Sequence, residues 1–493
     1  MQTIRIPFGE WLPDMPEMKA AATEAKGCIA AQEAYRPLPA FASSGVTAIA
    51  AQAKGAKAFF DTNGDVIVFV GAPTKLYQQE YSAFTDRSGA TYDCPIDAVW
   101  QFQQYGTKII ALNPNNNPQM FDMASPGNFA DLGGSPPRAR CIARIREFLV
   151  LGDITHPVAY PSRVQWSAFG DIVTWTGAGT NQADSEDLDE DAGRVQAIFN
   201  LYEAGFVFQE RAIQRMEYVG LPTIFSIDVV ERGQGPICGP HGMVLYQGIV
   251  YYVGNDGFYA FDGRQSVSIS HNKVSRYFLA NLNYAYRHNI FASYDYKSNS
   301  IWWAYPTGSN LLPDALLIYS IRDQRWTRDA SVSLECLLSL PKRGLTMEEL
   351  DAVSTDLDAI VPSLDSSIWQ STETVVGGFD QSHGMVEATG SNRECVLETI
   401  EVQPEPGKRS FVTEVWPLVD DDAALTVTAQ VGYRLQRPGD TLTYTSASAR
   451  NATGFAPVRS TGRYQRAKIT MPSAASWTHA EGVDVKFRVE GAR

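Results

Sequence analysis

The chain has 493 residues, a net charge of -14 and 44% hydrophobic residues, so it is long enough for several domains and apolar enough to bury a core. The acidic balance excludes a protein that grips nucleic acid or anionic membranes across most of its surface. No 18-residue apolar stretch occurs, and the start lacks a basic region followed by an apolar run. We therefore expect neither a membrane span nor Sec export.

Aromatic residues and turn formers dominate the composition, with 22 Tyr, 23 Phe, 39 Gly and 27 Pro. This mixture favours short strands joined by tight turns and predicts an all-β chain without long helices. The cysteines form no C-x-x-C pair and have no histidine at zinc-finger spacing, so we expect free thiols in a reducing compartment. They stand at positions 28, 94, 141, 238, 336 and 395.

The first segment, residues 1–43, is rich in proline and alanine. Its phrases "IPFGEWLPDMPEM" and "AYRPLPAFA" bracket a weakly helical "KAAATEAKGCIAAQEA". We interpret the segment as an extended N-terminal arm.

From residue 55 onward one unit recurs, in which an apolar strand, a turn with Gly, Asn or Asp and a shorter strand end in an aromatic residue. The intervals between these aromatics run from 43 to 58 residues, close to the ~40–50 of a four-stranded propeller blade. Residues 44–385 are therefore predicted to form a β-propeller of six to seven blades, the seventh copy being the weakest. The aromatics are Tyr77, Phe121, Trp166, Tyr218, Phe261, Tyr319 and Trp369.

The strands of this region are apolar at consecutive positions, as in "IVYYV" and "FLVL". Such runs predict sheets buried on both faces, as when a blade lies between two neighbours. A pair of β-sandwiches is the rival architecture, but sandwich strands come every ~8–12 residues without a higher period.

Two inserts interrupt the repeat, and both are predicted to leave blade edges. Residues 342–367 contain "TMEE" as a possible helix start. Residues 177–194 form a polar acidic loop, in which carboxylates at 187, 189 and 191 resemble the spacing of a calcium loop. Ala192 stands where such a loop needs Gly, and Ile198 where it needs Glu, so a solvated loop is the preferred interpretation.

The last segment, residues 386–493, alternates apolar and polar residues with period two. Such alternation predicts a small antiparallel β domain with one solvated face.

The search for chemistry returns no phosphate loop, nucleophile elbow or zinc helix. The six histidines stand singly, and none has a partner at motif spacing. Paired carboxylates for glycoside hydrolysis remain open, because Asp and Glu are plentiful and propellers host glycosidases, although no pair stands out. We therefore predict no catalytic, cofactor-binding or metal-binding residues and no cofactor, and interpret the Trp of "IYSIRDQRWT" as packing against the next blade.

The hairpin "GIVYYVGNDGFYAFDG", residues 248–263, is the best-formed repeat. Asn255, Asp256 and Gly257 are predicted to supply the positive-φ positions of its turn, which makes Asp256 a turn residue rather than a metal ligand.

Several phrases, in order along residues 6–493, resemble the nozzle, or tail tubular B-type, proteins of short-tailed bacteriophages, related to the tail accessory factors that seal packaged DNA. They are "IPFGEWLPDMP" with "YRPLPAF", "VFVGAPTKLY", "VQWSAFGDIVTWT…ADSEDL", "VYYVGNDGFYAFDG" and "GRYQRAKITMPSAASWTHAEGVDVKFRVEGAR".

The resemblance implies a non-enzymatic structural protein of the virion tail, made in the host cytoplasm. Its implied partners are further copies of itself in a ring of six, the portal and adaptor above it, tail fibre or tip proteins, and translocating double-stranded DNA that is bound without sequence specificity. The ring would form the conduit that retains packaged DNA and passes it during ejection. An acidic lumen would suit sliding, since each Lys or Arg contact to phosphate adds drag.

Two other functions stay open from the residues themselves. One is a carbohydrate-binding or glycoside-hydrolysing propeller, which the 11% aromatic content would suit by stacking on sugars. The other is a cytosolic protein-interaction propeller of kelch type.

Overall fold

A computed structural model describes residues 1–16, 22–61, 64–80, 82–177, 180–341, 374–421, 426–437 and 440–491. The expected insert at 342–367, with its possible helix start, and Trp369 lie outside the described residues. Within them, the regular secondary structure is almost entirely β-strand, as the composition predicted.

Five short strands come from the N-terminal segment. They are β1 (Gln2–Pro7), β2 (Ala22–Lys26), β3 (Cys28–Ala31), β4 (Ala34–Pro37) and β5 (Ala42–Ser43).

The repeat region contributes the next twenty-seven strands of the described chain. They are β6 (Ala56–Phe60), β7 (Val66–Gly71), β8 (Leu76–Glu80), β9 (Ala83–Asp86), β10 (Gln101–Tyr105), β11 (Lys108–Leu112), β12 (Gln119–Asp122), β13 (Ala130–Asp131), β14 (Arg138–Ile145), β15 (Phe148–His156), β16 (Tyr160–Trp166), β17 (Asp184–Asp187), β18 (Val195–Leu201), β19 (Ala204–Gln209), β20 (Ala212–Gly220), β21 (Ile224–Arg232), β22 (Val244–Tyr246), β23 (Ile249–Gly254), β24 (Gly257–Phe261), β25 (Ser266–Ser268), β26 (Phe291–Asp295), β27 (Ser300–Tyr305), β28 (Ala315–Ser320), β29 (Arg325–Asp329), β30 (Leu334–Pro341), β31 (Thr374–Asp380) and β32 (Met385–Glu387).

The C-terminal segment adds β33 (Cys395–Thr399), β34 (Arg409–Asp421), β35 (Thr428–Arg434), β36 (Thr443–Tyr444), β37 (Ser448–Ala449), β38 (Ala456–Gly462), β39 (Tyr464–Met471) and β40 (Trp477–Gly491). One α-helix, α1, spans Ser275–Asn281, and three single 3-10 segments span Glu190–Ala192, Pro240–Gly242 and Tyr284–Asn289.

The repeat region is a series of antiparallel four-stranded groups, here numbered sheets 1 to 7 in chain order. Sheet 1 is β6–β9, and the next five groups take successive sets of four strands up to β29. Sheet 7 is β30–β31–β32 completed by β5 from the N-terminal segment. The first strand of each sheet packs near the first strand of the next, sheets 4 and 5 meeting through the 3-10 segment before β22, and β30 packs beside β6. The arrangement is propeller-like.

The predicted period coincides with these sheets. Each of the six described aromatics of the repeat lies in the third strand of a separate sheet, from Tyr77 in β8 to Tyr319 in β28. The prediction of sheets buried on both faces is also confirmed, because Phe148–Leu151 and Val250–Val253 are buried at every position. The aromatics therefore mark where each sheet packs against its neighbours.

The N-terminal segment does not form the extended arm that we expected. Strand β1 pairs with β40 in the C-terminal segment, β3 pairs with β4, and β5 completes sheet 7. The prediction that this segment contains a weakly helical stretch is also wrong, because the stretch contains β2 and β3. Gly27 between them has φ +68°, and a Cβ there would lie 2.0 Å from the Glu394 carbonyl oxygen, so the backbone turns away from a helical path.

The C-terminal strands build two sheets over a shared core. One follows the order β3–β4–β40–β34–β38, and the other continues sheet 6 through β2 to β33–β39–β35. The predicted alternation is confirmed in β39, where buried and partly exposed residues alternate along the whole strand. Buried side chains from both sheets, such as Val412, Ile469 and Phe487, join the core of sheets 5 and 6.

The hairpin at 248–263 is formed as predicted, with Gly254 opposite Gly257, but its turn differs. Of the three proposed positive-φ residues only Gly257 has one, at +144°, whereas Asn255 and Asp256 do not. A Cβ at Gly257 would lie 2.4 Å from the hydroxyls of Ser270 and Ser275, so glycine is required there for space as well. Asp256 accepts a hydrogen bond from the Tyr259 hydroxyl at 2.5 Å, as a turn residue would.

The described part of the acidic insert, residues 177 and 180–194, contains regular structure and is not only a loop. Asp184–Asp187 is the exposed outer strand of sheet 3, and the 3-10 segment Glu190–Ala192 follows it. Asp187 Oδ1 forms a salt bridge with Arg163 Nε at 2.6 Å, and Asp189 Oδ2 forms one with Arg232 Nη1 at 2.6 Å. Two of the three carboxylates that resembled a calcium loop are thus engaged by arginines.

Two smaller expectations concern buried residues. The six cysteines are free thiols, as predicted, and all six are buried. Trp326, from "IYSIRDQRWT", is fully buried and contacts Phe258, so it packs on the preceding sheet rather than the next.

Among the described residues no helix is long and apolar enough to cross a membrane.

Candidate functional site

A cavity of about 1030 Å³ lies among the first strands of sheets 1 to 7. This volume is at the upper end of the range for small-molecule pockets. Each of these first strands supplies lining residues. Representative lining residues are Ala58, Gln103, Ala143, Phe199, Leu245, Ala292 and Ser339.

The charges of this central cavity are mainly positive, in contrast to the chain as a whole. Lys57, Arg144 and Arg146 line it together with Glu147. Lys57 Nζ donates to the Phe102 carbonyl at 3.1 Å, and Arg144 bonds to Glu147 at 2.7 Å. Desolvation lowers the pKa of the Lys57 ammonium, although the Lys57 side chain is exposed to the cavity.

A second cavity of about 220 Å³ adjoins the first where the first strands begin. Gln101 and His241 line both cavities, so the two are neighbours. Its outer side is formed by Ala285, Arg287 and His288 of the 3-10 segment before β26. We name this second space the arginine cavity.

The centre of the arginine cavity is a buried carboxylate between two arginines. Asp153 Oδ2 lies 3.0 Å from Arg194 Nε and 3.9 Å from Arg140 Nε. Arg140 also reaches Asp97 at 3.1 Å. Asp153 stands in β15 at φ +55°, where the pairing with β16 shifts register between Gly152 and Ile154. This bulge aims a polar side chain out of an otherwise apolar strand.

Burial controls the titration of the groups around this cavity. It raises the pKa of Asp153 to about 6, against the opposing effect of Arg194 and Arg140. It lowers the pKa of His241 to about 4, and it also lowers the pKa of His288. At neutral pH the carboxylate is therefore ionised and both imidazoles are neutral.

The titration of Asp153 predicts a loss of stability as pH rises. Its pKa is about 6 in the folded protein against an ordinary 3.8, so the folded state holds the proton more tightly. Stability is full below pH 3.8 and falls as pH rises toward 6, by on the order of 3 kcal/mol at ~1.36 kcal/mol per pH unit. Urea unfolding at pH 4 and pH 7 should show this loss relative to the Asp153→Asn variant.

Asp262 is the matched control, because hydrogen bonds from the Gln265 and Arg264 backbones lower its pKa. Wild type should gain stability with pH relative to Asp262→Asn, the opposite sign. An Asp153→Asn variant whose pH dependence equals that of wild type would contradict the account of Asp153.

The sequence predicted no site residues, and it missed this group. Arg140, Asp153, Arg194 and His241 come from β14, β15, the segment before β18 and the segment before β22. Their separation leaves no local spacing to detect. The one signal available is Asp153 itself, a carboxylate within the apolar run "FLVLGDI".

The central cavity is a poor fit to glycoside hydrolysis. That chemistry uses two carboxyl groups that flank the bond to be cleaved. Among the described residues that line this cavity, Glu147 supplies one carboxylate, and it is bonded by Arg144. Among the described residues, no group of three or more His, Cys, Asp or Glu is placed to hold a metal ion.

Comparison with known proteins gives little further guidance. No protein-family model matches the chain, and no curated protein matches it. Among solved structures it is similar to the crystal structure of the computationally designed Ika8 protein, with a TM-score of 0.34 and 11% identity. The match covers 71% of this chain and 98% of that one. A similarity of this degree carries no argument about the present chain.

Proposed function

We propose that the chain is a structural protein of a short-tailed bacteriophage tail, the nozzle below the portal and adaptor. In this proposal it has no enzymatic activity. Six copies form a ring whose lumen retains packaged DNA and passes it during ejection. It resides in the host cytoplasm before assembly and in the virion tail afterwards, where tail fibre or tip proteins are its further neighbours.

The observation that carries the proposal is the order of the nozzle-like phrases along the chain. The opening phrase "IPFGEWLPDMP" and the closing phrase "VDVKFRVEGAR" stand at opposite ends of the sequence. The strands that contain them pair, with Ile6 opposite Val483 and Pro7 opposite Gly482. The pairing brings the two phrases together in one sheet. The resemblance at the two ends of the sequence therefore concerns residues that are neighbours in the folded protein, which supports a shared structural role.

The proposal includes a closed propeller of seven blades within each subunit. Its support is the contact of β30 with β6 and the completion of sheet 7 by β5, which brings the N-terminal segment to the last sheet. Such a closed ring of blades leaves only short, protected sheet edges.

The DNA conduit would then lie between subunits rather than within one propeller. The central cavity has a volume suited to a small molecule, and residues of the 3-10 segment Tyr284–Asn289 border the arginine cavity next to it. Heterologous contacts that close into a ring would create a wider lumen. The net charge of -14 suits a lumen that lets phosphate slide.

Native mass spectrometry of the purified full-length protein tests the ring. We expect a discrete species of six copies whose population rises with protein concentration, because ring closure is a mass-action equilibrium. A protein that stays monomeric at every concentration, with no ring after addition of a portal and adaptor complex, would contradict the proposal.

A further inference from the structure

The central cavity contains one positive charge without an acidic partner. Three cationic side chains line it, those of Lys57, Arg144 and Arg146. Arg144 donates to Glu147 at 2.7 Å, and Arg146 lies 3.5 Å from Glu203. Lys57 Nζ has no carboxylate of the described chain within ion-pair distance, and desolvation alone accounts for its lowered pKa. These groups together leave one unbalanced positive charge, at Lys57.

The Lys57 ammonium has donors to spare for a ligand in this cavity. Its Nζ donates to the Phe102 carbonyl of β10 at 3.1 Å and lies 5.4 Å from the centroid of the Phe59 ring. An ammonium has three N–H donors, so two remain without an acceptor among the described residues. Since Lys57 is exposed and lines the cavity, these donors are accessible from that space.

The wall around this charge is largely apolar, and its side chains keep accessible surface. Ala58 follows Lys57 on β6, and Phe199, Leu245 and Ala292 line the cavity from sheets 4, 5 and 6. Leu245 is 43% exposed, and the other three are partly exposed. Apolar surface that remains in contact with water is covered favourably by an apolar ligand. The cavity thus combines one free cation with an apolar lining.

We propose that the central cavity is a binding site for a monocarboxylate with an apolar body. The carboxylate accepts hydrogen bonds from Lys57 Nζ, and the apolar body lies against the apolar wall. A cation would add to the unbalanced positive charge, and a neutral molecule would leave it unbalanced. The volume of about 1030 Å³ admits such a molecule together with water. The site lies within one subunit, so the inference does not depend on the proposed ring.

Isothermal titration calorimetry of the protein with butanoate, hexanoate and octanoate tests this site. We expect saturable binding whose affinity rises about threefold to fourfold for each added methylene, because the tail leaves water. Hexan-1-ol and hexylammonium should bind about tenfold more weakly than hexanoate or worse, since neither brings a negatively charged acceptor. Inorganic phosphate, which has no apolar body, should also bind more weakly than hexanoate.

Three variants separate the role of Lys57 from general effects. Lys57→Met keeps the length of the side chain but removes its charge, so hexanoate should bind about tenfold more weakly or worse. Lys57→Arg should retain part of the affinity. Lys297→Met is the matched control, because Lys297 is exposed and is not among the residues that line the cavity, and its affinity should be unchanged. Circular dichroism shows whether each variant is folded.

Protection from chemical modification locates the ligand in the unaltered protein, so this measurement needs no variant to fold. The protein is methylated with formaldehyde and a borane reductant, and the modified lysines are identified by peptide mass spectrometry. Saturating hexanoate should slow the methylation of Lys57 but not that of Lys297. The proposal would be overturned if Lys57 were methylated equally fast with hexanoate present, or if Lys57→Met bound hexanoate as wild type does. Binding of hexan-1-ol or phosphate as tight as that of hexanoate, or no hexanoate binding at tens of millimolar, would overturn it as well.

Discussion

Replacing Trp326 by alanine is expected to lower the free energy of unfolding by about 3–5 kcal/mol. The Trp326 ring is fully buried between sheets 5 and 6. Its centroid lies 4.8 Å from that of Phe258, and it stacks on Trp303 at 5.7 Å. Its Nε1 donates to the Ile269 carbonyl at 3.1 Å, so truncation also removes this hydrogen bond. Urea unfolding followed by tryptophan fluorescence and circular dichroism measures the change.

Two variants calibrate this prediction. Trp326→Phe keeps most of the ring and should cost clearly less, which keeps the test informative if the alanine variant does not fold. Trp416 is partly exposed beside Phe455, and its alanine variant should lose about 1 kcal/mol. Equal losses for Trp326→Ala and Trp416→Ala would show that the contact between sheets 5 and 6 contributes little.

Replacing Ile6 by aspartate is expected to lower the free energy of unfolding by more than about 3 kcal/mol. Ile6 is 4% exposed and packs in the core shared by the C-terminal sheets and sheets 5 and 6. A carboxylate there would be buried without a partner. The same measurement therefore tests whether the N-terminal segment is a strand of the folded body or a free arm.

Thr3→Asp is the matched control on the same strand. Thr3 is exposed and lies opposite Lys486, so its replacement should change stability by less than about 0.5 kcal/mol. A free arm would give two equally small changes. That result would contradict the pairing of β1 with β40.

The repeat was predictable because its signal is local. Sheets 1 to 6 each have an aromatic residue in the third strand, and the continuous apolar runs follow from burial on both faces. The period and the strand type therefore appear in the sequence itself. The turn of the 248–263 hairpin was predicted only in part, because Gly257 alone takes the positive φ.

The N-terminal strands were not predictable in the same way. Their alanines favour a helix in isolation, and the partners that decide otherwise lie in the last hundred residues of the chain. Strand β2 pairs with β33, and β1 pairs with β40. Tertiary pairing thus overrides local propensity.

The arginine cavity was hidden from sequence analysis for a related reason. Asp153 and Arg194 meet only because sheets 3 and 4 are neighbours, and His241 reaches them from the segment before sheet 5. None of these residues stands at a recognisable spacing. The sequence could report the apolar setting of Asp153 but not the arginines that surround it.

Cryo-electron microscopy of the protein mixed with the portal and adaptor complex of a short-tailed bacteriophage tests whether the chain is a tail nozzle. We expect a ring of six subunits below the adaptor, each with a propeller-like body, and a lumen between subunits that is wide enough for duplex DNA. Particles in which the adaptor remains bare while this protein stays as separate monomers would contradict it.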